Sequence, residues 1–266
     1  LFDMDLGLKG KVALVAASSQ GLGLAVAEEL AAEGVRLVMN SRSEDSLRQA
    51  SDAIGERFGA GVIGVAGDVS KREDVERIVS EGMKRFGRID ILVTNSGGPP
   101  AGTFDGLSRE SWDDAVRILL TSVLDMTRLV LPGMKERGWG RILNITSIAA
   151  KQPVDNLMLS NSLRAGVTGF SKTLANEVAQ YGITVNTILP GYTATERVVE
   201  LAETLGKKEG VDPAVIRSRW EAEIPMRRLA EPREFAALAA FLVSERASYI
   251  TGSSIAVDGG WIKGLF

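Results

Sequence analysis

The sequence predicts an α/β fold, a parallel sheet covered by helices on both faces and built by a single domain. Three observations predict it. Short β-branched or apolar runs alternate with amphipathic stretches along the whole chain. Those runs are almost continuously apolar, as strands buried on both faces are. Several of the amphipathic stretches end in glycine, which is how helix C-termini close. With 266 residues and 45% hydrophobic content, the chain suffices for one large core and is too short for two comfortable ones.

Taken in order, the first strand is KVALVA (11 to 16), followed by the helical GLAVAEELAAEG. VRLVMN (35 to 40) and VIGVAG (62 to 67) come next, and the helical-period KREDVERIVSEGMKRFG leads to IDILVTN (89 to 95). GRILNIT (140 to 146), ITVNTIL (183 to 189) and SIAVDGG (254 to 260) complete seven strands. The rhythm breaks once, at roughly 192 to 230, where about two helices' worth of sequence enters between the sixth strand and the last long helix. A long insertion past the carboxyl end of a strand is where a substrate lid sits; a surface hairpin that only packs is the other reading. No internal repeat or low-complexity tract interrupts the chain.

Composition excludes several function classes. The net charge of −3, with basic residues scattered along the chain, gives no electrostatic footprint for nucleic acid. Cysteine and histidine are both absent. That removes disulfides and any Ser/His or Cys/His nucleophile pair, and leaves a metal site to carboxylates alone. The opening LFDMDLGLKGK has no signal-peptide pattern, and no stretch of about 18 apolar residues occurs. A soluble, cytoplasmic protein with no membrane partner is expected. Leu1, Phe2 and Asp3 precede Met4 and are set aside from the functional argument.

After the first strand, Gly21 and Gly23 open a helix in AASSQGLGLAVAEEL. A strand-to-helix turn without side-chain bulk lets backbone N–H groups and the helix N-terminus approach a pyrophosphate. Close packing alone is the alternative use of the two glycines. The second strand ends in MNSRSEDSL, where an acidic residue would bond the ribose hydroxyls of NAD and repel a 2′-phosphate. Ser41 and Arg42 stand there instead. NADP(H) is therefore the expected dinucleotide, against the reading of Arg42 as an ordinary solvated charge.

The spacing of this turn resembles the TGxxxGxG turn of the short-chain dehydrogenases/reductases, with Ala16 and Ala17 where that family usually has Thr and Gly. The resemblance extends over nearly the whole chain. GDVS places Asp68 and Val69 at the adenine contacts, and TNSGG places Asn95, Ser96 and Gly97 where the family has NNAG. LPGYTAT supplies Pro190, Gly191, Thr193 and Thr195, similar to the loop that meets the nicotinamide carboxamide and phosphates, and VDGGW resembles the last strand. The resemblance implies a single-domain Rossmann fold over 1–266 with sheet order 3-2-1-4-5-6-7 and the helical insertion as a lid. It implies a cofactor set that also includes Ser19 and Leu22 of the glycine turn, and members similar to 3-oxoacyl-carrier-protein reductases; nothing in the residues themselves points to an acyl-carrier substrate.

In that family hydride passes from nicotinamide to the substrate carbon while a tyrosine moves the proton on the substrate oxygen. A lysine four residues on lowers the tyrosine pKa and holds the ribose, a serine bonds the carbonyl, and an asparagine carries a water chain. NITSIAA keeps the serine as Ser147, but in the run LSNSLRAGVTGF the tyrosine position holds Ser160 and the lysine position Arg164, and Leu119 stands at the asparagine. An aliphatic hydroxyl is far less acidic than a phenol of pKa ~10, and Ser160 reaches a substrate oxygen only through water. Arg164, one turn on along the same face, can still donate to ribose hydroxyls. Two other proton donors are candidates. One is Tyr192, if it is not a packing residue of the insertion. The other is Lys151, if it is not a solvated surface charge. Gly98, Pro99 and Pro100 stiffen the rim after the fourth strand, either shaping a pocket or simply closing a turn.

Two function classes follow, and a third stands behind them. The first is an NADP(H)-dependent oxidoreductase acting on a carbonyl or secondary alcohol, with Ser147 polarising the oxygen and water or Tyr192 supplying the proton; an isomerase or dehydratase is a minor variant. The second is a catalytically inactive NADP(H)-binding pseudoenzyme, a sensor or an oligomer subunit. The third is a structural protein that binds no dinucleotide. The family resemblance also implies a homotetramer, which Trp112, Val116, Leu119, Leu120 and the closing WIKGLF fit, although the same residues fit a core.

Overall fold

The strands run Val12–Val15 (β1), Arg36–Ser41 (β2), Val62–Ala66 (β3), Ile91–Thr94 (β4), Gly140–Ile145 (β5), Ile183–Pro190 (β6) and Ser254–Val257 (β7). In the computed structural model, which describes residues 5–265, they form one sheet in the order β3-β2-β1-β4-β5-β6-β7. Every pairing is parallel. β1 and β4 are buried at every position, which is why neither alternates polar and apolar residues. Five strands are shorter than their apolar runs, β1 and β7 for a visible backbone reason. β1 stops at Val15 because the chain turns at Ala17, whose φ is 47°. β7 stops at Val257 because Gly259 and Gly260 both adopt positive φ.

Helices fill both faces. Gly21–Ala32 (α1), Glu44–Phe58 (α2) and Pro232–Leu242 (α9) lie on one side, where Val26, Leu30, Leu47, Ile54 and Phe235 share a core with β1 and β2. Arg72–Phe86 (α3), Ser122–Arg137 (α5) and Met158–Val178 (α6) lie on the other, contributing Val75, Ile78, Met126, Val130, Leu174 and Val178. α2, α3 and α5 each end on a left-handed glycine, Gly59, Gly87 and Gly138; only glycine adopts that conformation without steric cost. Arg109–Val116 (α4) runs into α5 through a π-helical turn, Arg117–Thr121. Between β6 and α9 stand Glu196–Glu209 (α7) and Pro213–Glu223 (α8). These two carry a small apolar cluster of their own, Ala202, Ile216 and Trp220, with Tyr192 packed against it.

Buried Asp90 ties the amino ends of β1 and β4 together. Its carboxylate accepts from the Val12 amide at 3.0 Å and from Arg88 Nε at 2.7 Å. At the opposite, carboxyl ends, sheet order reverses between β1 and β4, and the crevice that opens there is where α/β sheets bind ligands.

Candidate active site

The crevice begins at the turn from β1 into α1. Gly23 has no Cβ because the Ala17 carbonyl occupies that place, and Gly21 supplies a positive φ of 58°. Gln20 caps α1 without a side-chain hydrogen bond, and no acidic residue lies in its first turn. The first N–H groups of α1 are thus without a side-chain partner at a helix N-terminus, which suits a phosphate. Asn95 Nδ2 donates to the Ala17 carbonyl at 3.2 Å, fastening the end of β4 to this turn. Leu22 is half-buried on the same turn.

Beside it, Ser19 Oγ donates to Ser41 Oγ at 2.8 Å, and Arg42 is exposed. The end of β2 carries two hydroxyls and a cation, and no carboxylate. Asn40 braces the next loop by donating to the Val65 and Gly67 carbonyls at 3.0 and 3.1 Å. Val69 is buried, and Asp68 is half-buried with its Oδ1 accepting from the Ser70 amide.

The polar residues at the ends of β5 and α6 converge. Ser147 caps a short 3-10 turn and its Oγ accepts from the Ala149 amide at 3.2 Å, leaving the hydroxyl hydrogen to donate. Arg164 Nε donates to Ser160 Oγ at 3.1 Å, and Nη1 donates to the Thr146 carbonyl at 2.8 Å. Nη2 has no hydrogen-bond partner among the described residues, so it is the edge free to meet a hydroxyl. Burial, and secondly the charge of Arg197, pull the Arg164 pKa down to about 10. A small cavity of about 10 Å³ lies beneath, bordered by Arg164, Thr146, Ser122, Asn95 and Leu119. Leu119 sits in the π-helical turn, so at the asparagine position of the resemblance the cavity has an apolar wall.

β6 delivers the remaining wall. Gly191 lies against Asp258, whose Cα would stand 2.8 Å from a Cβ at that place. Thr193 is buried and bridges to Ala230, and Thr195 caps α7 without a side-chain bond. Tyr192 stacks on Trp220 with ring centroids 4.9 Å apart, and burial, then Glu223, push its pKa up. Lys151 is exposed at the end of the 3-10 turn. The stiff rim of Gly98, Pro99 and Pro100 is stitched across the cleft by Gly102, whose amide donates to the Asn156 carbonyl at 2.7 Å.

Two neighbours of the site, Glu196 and Arg197, carried no signal in the sequence. Thr195 and Glu196 lie over Gly21, with Glu196 Oε2 3.7 Å from the place of a Cβ there; a diphosphate at that turn has to displace this carboxylate. The Arg197 guanidinium fills the space a Gly98 side chain would take. Both contacts join residues about a hundred or more positions apart, which no local pattern encodes.

Comparison with known proteins places this geometry. The family model described as Enoyl-(Acyl carrier protein) reductase matches residues 16–262. The 3-oxoacyl-[acyl-carrier-protein] reductase FabG of Vibrio cholerae is 35% identical, covering 96% of this chain and 98% of that protein. The NADPH-dependent reductase BacG of Bacillus subtilis is 34% identical, covering 96% and 99%. The structure of L-sorbose reductase from Gluconobacter frateurii, complexed with NADPH and L-sorbose, superimposes with a TM-score of 0.94 at 39% identity over 98% of this chain and all of that one.

Proposed function

Because this chain belongs to the short-chain dehydrogenase/reductase family, we propose that it is an NADP(H)-dependent reductase of a carbonyl compound that works without the family's tyrosine. The observation that carries this reading is the end of β2: Ser41 bonded to Ser19, Arg42 exposed beside them, and no carboxylate to repel a 2′-phosphate. The NADPH named for BacG and for the L-sorbose reductase complex supports it. The N-terminus of α1, which no side chain caps, and the turn at Gly21 and Gly23 fit a diphosphate once Glu196 moves off Gly21. Asp68 and Val69 would hold the adenine side. Asn95, Ser96, Gly97, Pro190, Gly191, Thr193 and Thr195 would line the nicotinamide half.

Bound NADPH supplies a hydride to the carbonyl carbon. The chain's own residues handle the oxygen. Ser147 donates its hydroxyl hydrogen to the carbonyl oxygen and stabilises the charge that gathers there. Arg164 Nη2 holds the ribose hydroxyls. Ser160, accepting from Arg164 Nε, has its hydrogen directed away from that bond and orients a water that delivers the proton. The protein is a single cytoplasmic domain with the segment at about 192–230 as its substrate lid, and a homotetramer formed in part through half-buried Trp112, Val116 and Leu120.

NADPH oxidation over a panel of carbonyl compounds tests the reading. Turnover is expected, falling roughly a hundredfold or more in Ser147→Ala, the loss typical of one removed oxyanion donor. A second reading rests on Ser160 and Leu119, neither of which replaces the chemistry of the residue it stands for: an NADP(H)-binding pseudoenzyme. NADPH binding with no turnover across the panel would establish it.

A further inference from the structure

We infer that the substrate is an oxo acid, its carboxylate received by Arg197 at the mouth of the cleft. The inference rests on the reductase reading above and adds the substrate's charge class.

Consecutive residues at the start of α7 contact different parts of the crevice. Thr195 and Glu196 lie on Gly21, the phosphate turn, whereas Arg197 lies on Gly98, at the rim that follows β4. The guanidinium of the exposed Arg197 lies where a Gly98 side chain would stand, so the bare backbone at 98 lets it rest against the rim. Gly98 follows Asn95 and Ser96, which border the same small cavity as Arg164, so Arg197 on Gly98 lies at the same end of the crevice. Two cations therefore border one cleft, and neither is paired with a carboxylate among the described residues. Elsewhere on the insertion Arg217, Arg219 and Arg228 bond Glu221, Glu209 and Glu234, whereas Arg227 bonds the Ala222 carbonyl. A carbonyl substrate that brings its own carboxylate supplies the missing charge. The planar guanidinium suits it, because the two N–H edges match the two carboxylate oxygens.

The reaction so specified is balanced. The carbonyl carbon of the oxo acid gains the hydride of NADPH, its oxygen gains a proton from water, and the products are the hydroxy acid and NADP⁺. The carboxylate is unchanged. Its role is to fix the carbonyl against Ser147, so Arg197 acts as a specificity-determining residue.

The probes are oxamate, malonamate and succinamate, unreactive carboxylates that carry an amide carbonyl at increasing distance. Each is titrated calorimetrically into the full chain, wild type and Arg197→Ala, with and without saturating NADPH, and NADPH is titrated into both proteins. At least one probe is expected to bind the wild type and to bind Arg197→Ala about tenfold or more weakly, the cost of a lost charge-assisted hydrogen bond. Arg197→Lys should recover part of the affinity, and NADPH should bind both proteins alike. Equal probe affinity in the two proteins, or no binding of any probe, would overturn the inference. A loss confined to NADPH affinity would also overturn it, and would assign Arg197 to the cofactor diphosphate. Should NADPH fail to bind while a probe still binds in an Arg197-dependent way, the reductase reading falls and the carboxylate site stands.

Discussion

At Ala17 the backbone adopts φ 47°, a left-handed conformation in which a Cβ crowds the following carbonyl and costs about 1–2 kcal/mol. The family resemblance puts glycine at this place, and the structure shows why: the turn keeps the shape that glycine serves although the glycine is gone. Ala17→Gly is therefore expected to stabilise the protein by about 1 kcal/mol, somewhat less than the strain relieved, because glycine gains entropy in the unfolded chain. Denaturant midpoints at fixed protein concentration measure it, and an unchanged or lower midpoint would show the strain to be absorbed elsewhere. Tyr192 is a second residue whose role geometry narrows. Its ring is stacked on Trp220 and its pKa is raised, both of which suit a packing residue better than a proton donor. Tyr192→Phe preserves the stack, so turnover should stay within about threefold of wild type; a loss of the order of a hundredfold, as expected on removing a general acid, would make the phenol the donor.

The elements were legible in the sequence where burial is simple. Seven apolar runs announced seven strands, and Gly87 announced the end of α3, because those signals are local. The π-helical turn at Arg117–Thr121 was not, since it depends on how α4 and α5 share one crevice wall and not on any breaker residue. The candidate site was legible in its residue types: Ser147, Ser160, Arg164 and Arg42 could all be named from spacing. What spacing could not give was the bond from Arg164 to Ser160, the carbonyl that Arg164 caps at Thr146, or the meeting of Arg197 with Gly98. Among the helices, α9 offers a pH test. Glu234 accepts from both Arg228 nitrogens and from the Glu231 amide. Arg228 first, and then that amide, hold its carboxyl at about 2 against an ordinary 4.5. Its contribution is complete above pH 4.5 and fades as pH falls toward 2. The protection factors of the amides in the first turn of α9, taken against the intrinsic exchange rate at each pH, should fall across that window, and Glu234→Gln should flatten the dependence; a profile unchanged by the substitution would assign the cap to other groups.

At the scale of the molecule, a sheet buried on both faces places every functional group at one edge, the carboxyl ends of its strands. In the proposed reading, β1 and α1 would present the phosphate turn, β2 the ribose discriminator, β4 the rim and β5 and α6 the oxygen-handling pair, while β6 leads into α7 and α8. Ser160 and Arg164 stand where the resemblance puts tyrosine and lysine, while the glycine turn, the end of β2 and the loop after β6 carry residues suited to a dinucleotide. That contrast is the basis for reading the chain as a working reductase with a different proton path. The measurement that tests it most directly is calorimetric titration of the purified protein with NADPH and, separately, with NADH. Tight binding of NADPH, about tenfold or more stronger than NADH and reduced to parity in Arg42→Ala, is the predicted result. Equal affinity for the two would contradict the reading of the β2 terminus, and binding of neither would contradict the account as a whole.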